Sequence, residues 1–269
     1  METVTLFDKL AETLNCGNAA CMATVIGGEG STPRKPGSRM LVFPDGSTFG
    51  SVGGGVLESD VIKSAVRSIK KRKIHVLEFD LDQYRDPDTD MRCGGKMSVL
   101  IDPVIPADPL VIFGAGHIGY AFYNLLKSVG FRITMVDDRR KYAARKRFPD
   151  AEKVICASWK KAFDKLKIDQ NSYIIICTRA HQNDLECLEF ALSSPAVYVG
   201  MLGSKTKVSR FKKKLRQTGI RPKRLRELHA PIGLDIGAVT PEEIAVSAAA
   251  ELINFRMNRL MDDNKRAGK

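Results

Sequence analysis

The feature that most constrains the fold of this chain is a glycine motif set between a strand and a helix. Residues 110–113 form an apolar run typical of a buried strand, Gly114-x-Gly116-x-x-Gly119 follows, and the next residues have helical periodicity. In such a motif the first glycine permits a tight turn, the second lets a phosphate approach the backbone, and the third lets the helix pack closely on the sheet. The motif therefore predicts a doubly wound α/β domain with a nucleotide-type site.

An acidic residue, Asp137, ends the next predicted strand. At this position a carboxylate accepts hydrogen bonds from a ribose in dinucleotide-binding domains and repels a 2′-phosphate. We therefore expect NAD(H) to be favoured over NADP(H) if a dinucleotide binds, with Arg139 and Arg140 weakening that preference. The alternative is that the glycines serve only a tight turn.

The chain divides into two predicted domains. Residues 1–102 contain four strand-like runs, with an amphipathic helix between the second and the third, and predict an α+β domain. Three prolines in "DPVIPADP" predict a linker over residues 103–109. From residue 110 to 269 apolar strands alternate with helical patterns, which predicts a Rossmann-like, doubly wound parallel sheet.

Composition narrows the classes of ligand and compartment. Lys and Arg number 43 against 31 Asp and Glu, a net charge of +12 that favours anionic ligands or acidic partners. The basic helical stretches, including residues 205–217 and 221–226, are interpreted as solvated helix faces. Neither a nucleic-acid-binding module nor a zinc-type cysteine spacing is present, and no run is apolar enough to span a membrane. We expect a cytoplasmic protein.

Further polar loops follow the predicted strands of the second domain. "TRAHQND" contains His181, a candidate general acid or base, although a structural role for it is the alternative. "GMLGSK" and "HAPIGLDIGA" follow later strands. Together with the glycine motif they predict one ligand crevice at the carboxyl ends of the strands. Its candidate binding residues in "GMLGSK" are Gly203, Ser204 and Lys205.

Two loops of the first domain have compositions suited to holding an anion. "GGEGSTPRKPGSRM" offers a backbone restricted by proline together with Arg34 and Lys35. "GSVGGGVLES" places Gly53, Gly54 and Gly55 directly before a predicted helix, whose N-terminus attracts phosphate or carboxylate. Turn formation is the alternative for both loops.

One cysteine differs from the other five in its sequence neighbours. Cys93 precedes two glycines and has Arg92 and Lys96 close by, a setting that favours the thiolate. By contrast, Cys156, Cys177 and Cys187 fall in apolar patterns and are expected to be buried and inert.

The motifs in their order resemble the xanthine dehydrogenase accessory family (XdhC/CoxI). The likeness extends over nearly the whole chain through "GSTPRKPGSRM", "GSVGGGVLE", "CGG", "VIFGAGHIG", "VDDR", "TRAH", "YVGMLGSK" and "HAPIGLDIGAVTPEEIAVSAAAEL". It implies a maturation factor that binds the molybdenum cofactor (molybdopterin), assists its sulfuration and inserts it into a xanthine dehydrogenase-like molybdenum hydroxylase, rather than a turnover enzyme. It also implies that Cys93 contacts the molybdenum or its sulfur and that the glycine loops of both domains hold the pterin phosphate.

The resemblance also sets expectations about partners and alternatives. Beside the client hydroxylase, a cysteine desulfurase and a second copy of the chain are expected partners. An NAD(P)-dependent oxidoreductase is the alternative function, because Gly114, Gly116, Gly119 and Asp137 suit a nicotinamide dinucleotide. A basic adaptor protein would account for the charge but leave the glycine loops without a role.

Overall fold

The computed structural model describes residues 2–30, 32–81 and 95–266. They form two compact units, Met1–Pro106 with Asn258–Lys269, and Ala107–Met257. The division between Pro106 and Ala107 falls inside the predicted linker. Strands occupy both ends of that proline-rich segment, so that only residues 105–107 lie between a strand ending at Val104 and one beginning at Asp108.

The first unit is a five-stranded antiparallel sheet with helices on both faces. Its elements are α1 (Glu2–Asn15), β1 (Ala20–Gly30), β2 (Arg39–Val42), β3 (Thr48–Gly50), α2 (Gly55–Lys71), β4 (His75–Asp80) and β5 (Gly95–Val104). The sheet order is β3-β2-β1-β5-β4. The α+β prediction is confirmed; the short strand β3 had no sequence signal strong enough to predict it.

Alternation along β1 explains why helices cover both faces of this sheet. Cys21, Ala23 and Val25 point to one face, where they join Leu57 and Val61 of α2 in a buried cluster. Ala20 lies on the opposite face and packs with the apolar side of α1. Each face thus buries its own apolar layer.

The second unit is a six-stranded parallel sheet of order β11-β10-β9-β6-β7-β8. Its strands are β6 (Asp108–Phe113), β7 (Phe131–Asp137), β8 (Lys153–Cys156), β9 (Tyr173–Ile176), β10 (Tyr198–Met201) and β11 (Leu228–His229). Its helices are α3 (His117–Ser128), α4 (Trp159–Phe163), α5 (His181–Ser193), α6 (Lys205–Gln217), α7 (Pro222–Arg226) and the part of α8 (Pro241–Arg266) up to Met257. This is the predicted doubly wound fold.

The strand order places the functional loops together. The chain moves outward from β6 through β7 to β8, then returns to β9 on the other side of β6. The β6–β9 junction is therefore the topological switch point, outside whose carboxyl edge ligands of such sheets bind. The glycine motif and "TRAHQND" both follow strands that meet there.

The residues "TPEE" at 240–243 predict a capping box at the start of α8, and the structure contains it. The Glu243 amide donates to the Thr240 hydroxyl over 3.2 Å, and the Thr240 amide donates to the Glu243 carboxylate over 2.9 Å. These reciprocal bonds form a capping box, with Pro241 at the first helical position. The predicted structural role of this segment is confirmed.

No helix in residues 2–30, 32–81 and 95–266 combines the length and apolar character needed to cross a membrane.

Candidate functional site

The glycine motif has the steric roles that its spacing predicts. Gly114 has φ +110°, and a Cβ there would overlap the Cys177 carbonyl oxygen. A Cβ on Gly119 would overlap the Gly114 carbonyl oxygen. Gly116, by contrast, has nothing within 4 Å of the Cβ position. Two glycines thus allow close packing within the protein, and Gly116 leaves open space in front of the loop.

The start of α3 is free to meet an anion. Gly116 is the N-cap residue in an extended conformation, and its lack of a side chain leaves the first helical amides without a side-chain cap. In the described part of the chain no side chain bonds the amides of His117 and Ile118. Unbonded amides at a helix N-terminus favour a phosphate or carboxylate.

The Asp137 carboxylate binds the protein itself. One oxygen accepts from the Ala115 amide over 2.8 Å and from Nη2 of Arg139 over 2.9 Å. The other accepts from the Arg139 amide and from Nε of Arg139. Asp137 is buried, and four bonds fill its acceptor capacity. The expected hydrogen bonds from Asp137 to a ribose are not supported by this geometry.

The charge state of Asp137 follows from these contacts. Burial acts to raise its pKa, but the hydrogen bonds from the Arg139 side chain and from the amides of Ala115 and Arg139 outweigh burial and lower the pKa below its usual value. The carboxylate is therefore ionised at neutral pH and holds the glycine loop through the Ala115 amide.

The segment after β7 also supports the loop from outside. Arg147 donates from Nη1 to the carbonyl oxygens of Ala115 and Tyr142, each over 2.8 Å. The Arg139 guanidinium lies 3.8 Å from the centroid of the Tyr142 ring. Two arginines of the basic run 138–148 thus hold the loop in place, which the sequence alone did not reveal.

An ion pair spans the carboxyl end of β6. Nη2 of Arg179, in the loop after β9, donates to Oδ2 of Asp138, just after β7, over 3.0 Å. The other carboxylate oxygen of Asp138 is buried and accepts no hydrogen bond from the described residues, with Nε of Arg139 3.8 Å away. This acid next to Asp137, rather than Asp137 itself, retains acceptor capacity at the crevice.

Asp184 joins the loops after β9 and β10. Buried Asp184 accepts from the amide and hydroxyl of Thr178 over 3.0 and 2.6 Å, and from Nζ of Lys207 over 2.5 Å. This network was not predicted from the sequence. Asp184 ends the segment "TRAHQND" and lies in the first turn of α5, but its partner Lys207 is distant in sequence.

The predicted binding residues Gly203, Ser204 and Lys205 lie at the start of α6, and His181 is the first residue of α5. The Ser204 hydroxyl accepts from the Lys207 amide and caps α6, so part of its role is structural. A Cβ on Gly203 would touch the Lys207 side chain. Lys205 and His181 are exposed, and the centroids of the His181 and Phe211 rings lie 6.3 Å apart.

A second carboxylate holds the "HAPIG" loop. One oxygen of Glu251 contacts Nδ1 of His229 at 2.5 Å and accepts from the Tyr198 hydroxyl over 2.9 Å; the other accepts from the Gly233 amide. Burial acts to raise the Glu251 pKa, but these bonds outweigh it and lower the pKa. This role of α8 was not predicted from the sequence.

The triple-glycine loop of the first unit is closed by its own helix. Oε2 of Glu58, in the first turn of α2, accepts from the amides of Val52 and Gly54 over 3.3 and 2.9 Å and from the Ser51 hydroxyl over 2.7 Å. A phosphate there would have to displace a carboxylate. The geometry therefore does not support an anion cradle at Gly53, Gly54 and Gly55, although an acid in a first helical turn was a visible sequence signal for this cap.

The other predicted anion loop is open. Arg34 and Lys35 are exposed, and within the described residues neither side chain has a hydrogen-bond or ion-pair partner. The Thr32 hydroxyl donates to the Arg34 carbonyl oxygen over 3.1 Å and shapes the turn. Both cations remain candidates for anion binding.

The cysteine predictions have mixed outcomes. Cys187 is buried, and burial raises the pKa of its thiol. Cys177 is half-buried rather than buried as predicted, but desolvation still raises the pKa of its thiol, whose Sγ lies 3.4 Å from the Gly114 carbonyl oxygen. Cys156 is exposed, so the prediction that it is buried was wrong: it is the last residue of an edge strand, and its side chain faces outward. Cys93 lies outside the described residues.

Comparisons with known proteins agree on one family. A family model described as the XdhC Rossmann domain matches residues 110–252, and one described as the XdhC and CoxI family matches residues 14–80. The chain is 34% identical over 248 residues to YqeB of Escherichia coli strain K12, covering 92% of this chain and 45% of YqeB.

Two further proteins are similar. A probable xanthine dehydrogenase subunit of Bacillus subtilis strain 168 is 31% identical over 159 residues, covering 59% of this chain and 46% of that protein. A crystal structure described as a xanthine dehydrogenase from Bacillus halodurans covers 96% of this chain and 97% of that chain, with 26% identity and a TM-score of 0.53. The chain spans less than half the length of the two curated relatives.

Proposed function

Because the chain belongs to the XdhC and CoxI family, we propose that it serves in the maturation of a xanthine dehydrogenase-type molybdenum hydroxylase. Its part is to bind the molybdenum cofactor, assist its sulfuration and insert it into the client enzyme. The client and a cysteine desulfurase are the proposed partners, and self-association is proposed alongside them. The compartment is proposed to be the cytoplasm.

The observation that carries this proposal is the open glycine loop at Gly116. The first amides of α3 have no side-chain cap at the switch point of the sheet, and Gly116 has nothing within 4 Å of its Cβ position, so a phosphate of a pterin cofactor is proposed to bind there. Along the same carboxyl edge, His181 begins α5 and Lys205 begins α6. They supply a cation and an imidazole near that edge.

The contacts of Asp137 also favour binding of a cofactor for delivery over hydride transfer. An oxidoreductase site of the dinucleotide type uses the acid after the second strand for the ribose, and here that acid, Asp137, is bonded to Arg139 and Ala115. The oxidoreductase alternative leaves the exposed pair Arg34 and Lys35 and the residue Cys93 without an assigned role. In the maturation proposal the cations hold the anionic cofactor and Cys93 contacts its molybdenum or sulfur.

The test begins with purification of the protein from cells that make molybdopterin. Bound ligand is released, oxidised and measured by pterin fluorescence, and molybdenum is measured by elemental analysis. We expect pterin with the wild type, less with Arg34→Ala, and failure of Cys93→Ser to support activation of the client hydroxylase while the variant stays folded. Absence of pterin together with tight NADH binding would establish the oxidoreductase alternative instead.

A further inference from the structure

The excess positive charge of the chain is concentrated in one short segment. Residues 205–226 contain eleven Lys and Arg and no Asp or Glu. Outside the segment 32 of the 43 basic residues remain, against 31 acidic residues. The rest of the chain is therefore close to neutral, and the net charge of +12 is in effect the charge of α6, α7 and their connection.

Few of these cations are neutralised by the protein. Lys207 pairs with Asp184, while Lys223 and Arg224 pair with Glu227. The other eight have no hydrogen-bond or ion-pair partner in the part of the chain that the structure describes. They are Lys205, Arg210, Lys212, Lys213, Lys214, Arg216, Arg221 and Arg226. So many like charges on adjacent turns repel one another, a cost that an acidic partner would relieve.

The surface is a groove with an apolar floor. A cavity of about 500 Å³ lies between α6 and the residues after β11, with Val208 and Ala230 in its lining. Its cationic lining comes from Lys205, Lys212, Lys213 and Arg216. Among the described residues no carboxylate lines it. The groove thus combines a strip of apolar contact with cations from successive turns of one helix.

We propose that this groove is the docking surface for an acidic segment of a protein partner. Carboxylates of the segment would pair with the α6 cations, and its apolar side chains would cover Val208 and Ala230. Such a field steers an acidic partner and accelerates its association at low salt. The inference rests on this charge and shape and does not depend on the proposed function.

The geometry favours a polypeptide over a nucleic acid. Nucleic-acid surfaces combine cations with exposed aromatic rings on which bases stack. The one aromatic residue of residues 205–226 is Phe211, and it is buried in the core. A single groove with an apolar floor suits one peptide segment.

The test uses three substitutions in the groove and a matched set elsewhere. The full chain carrying Lys212→Glu, Lys213→Glu and Arg216→Glu is compared with one carrying Lys160→Glu, Lys161→Glu and Lys167→Glu. The control lysines are exposed and have no described partner, so both variants change the net charge equally. The probe is a fluorescein-labelled peptide of glutamate and alanine, beside an uncharged glutamine and alanine peptide and a labelled single-stranded oligonucleotide.

We expect the wild type to bind the glutamate peptide and not the glutamine peptide. The groove variant should raise the Kd at least about tenfold, whereas the control set raises it less than about twofold. A double variant, Lys213→Gln with Arg216→Gln, should give a smaller rise in Kd. It replaces the triple variant if the triple variant does not fold. Three outcomes overturn the proposal: no peptide binding, equal weakening in the groove and control sets, or tighter binding of the oligonucleotide that the groove substitutions abolish.

Discussion

The two glycine loops that precede α2 and α3 look alike in sequence and differ in what closes them. Before α2, Glu58 in the same helix bonds the amides of Val52 and Gly54. Before α3, the carboxylate of Asp137 lies behind the loop and bonds the Ala115 amide, leaving Gly116 open in front. The position of one carboxylate thus separates a self-capped helix from a helix whose first amides have no side-chain cap.

The largest expected effect on stability comes from adding a side chain at Gly119, which packs closely against the open glycine loop. Gly119→Ala places a methyl group against the Gly114 carbonyl oxygen, so the backbone must shift. We expect the free energy of unfolding to fall by at least about 3 kcal/mol, measured by urea denaturation. Gly116→Ala is the matched control and should cost no more than about 1 kcal/mol, since its Cβ meets nothing. Equal losses in both variants would contradict the assigned packing roles.

The next largest effect on stability is expected from removing the charge of Asp137, whose carboxylate bonds the glycine loop. Asp137→Asn removes the charge that pairs with Arg139, and we expect a loss of about 2–4 kcal/mol at neutral pH. Asp138→Asn, which removes the charge of a more exposed pair, should lose about 1 kcal/mol or less. Urea denaturation of both variants beside the wild type gives the two values.

The pH dependence of this loss has a definite sign. Because the folded-state pKa of Asp137 lies below its unfolded value, its stabilisation is present above the unfolded pKa and disappears as pH falls through the folded pKa. The difference between wild type and Asp137→Asn should therefore shrink below about pH 4. A difference that stays constant down to the acid transition would show that Asp137 acts by packing alone.

Much of this arrangement follows from local sequence, and some of it does not. The steric roles of Gly114 and Gly119 and the capping box at Thr240 depend on neighbours within a few residues or on a recurrent motif, and all three were predicted. The pairing of Asp184 with Lys207 and of Glu251 with His229 joins residues from separate elements, so their partners became visible only in the folded chain. Asp137 illustrates both cases: its position was predicted, but its partner Arg139 was not.

A smaller effect is expected from freeing the amides of the loop before α2, which would make that loop more like the one before α3. Glu58→Ala frees the amides of Val52 and Gly54, and we expect a loss of about 1 kcal/mol together with a larger rise in Tm on adding inorganic phosphate than the wild type shows. Glu58→Gln keeps an acceptor without the charge and should fall between the two. A Tm response to phosphate that is the same in all three proteins would show that the carboxylate is not what excludes anions.

The most direct test of the account compares cofactor retention in two glycine variants. Gly116→Ala fills the open space before α3, and Gly27→Ala adds a methyl group that meets only ordinary contacts at 3.8 Å in the first unit. Each protein is purified from molybdopterin-producing cells, and its bound pterin is measured by fluorescence after oxidation. We predict that Gly116→Ala retains at most about one tenth of the pterin held by the wild type, whereas Gly27→Ala retains the wild-type amount. Full retention in Gly116→Ala would contradict the central claim that the open glycine loop holds the cofactor.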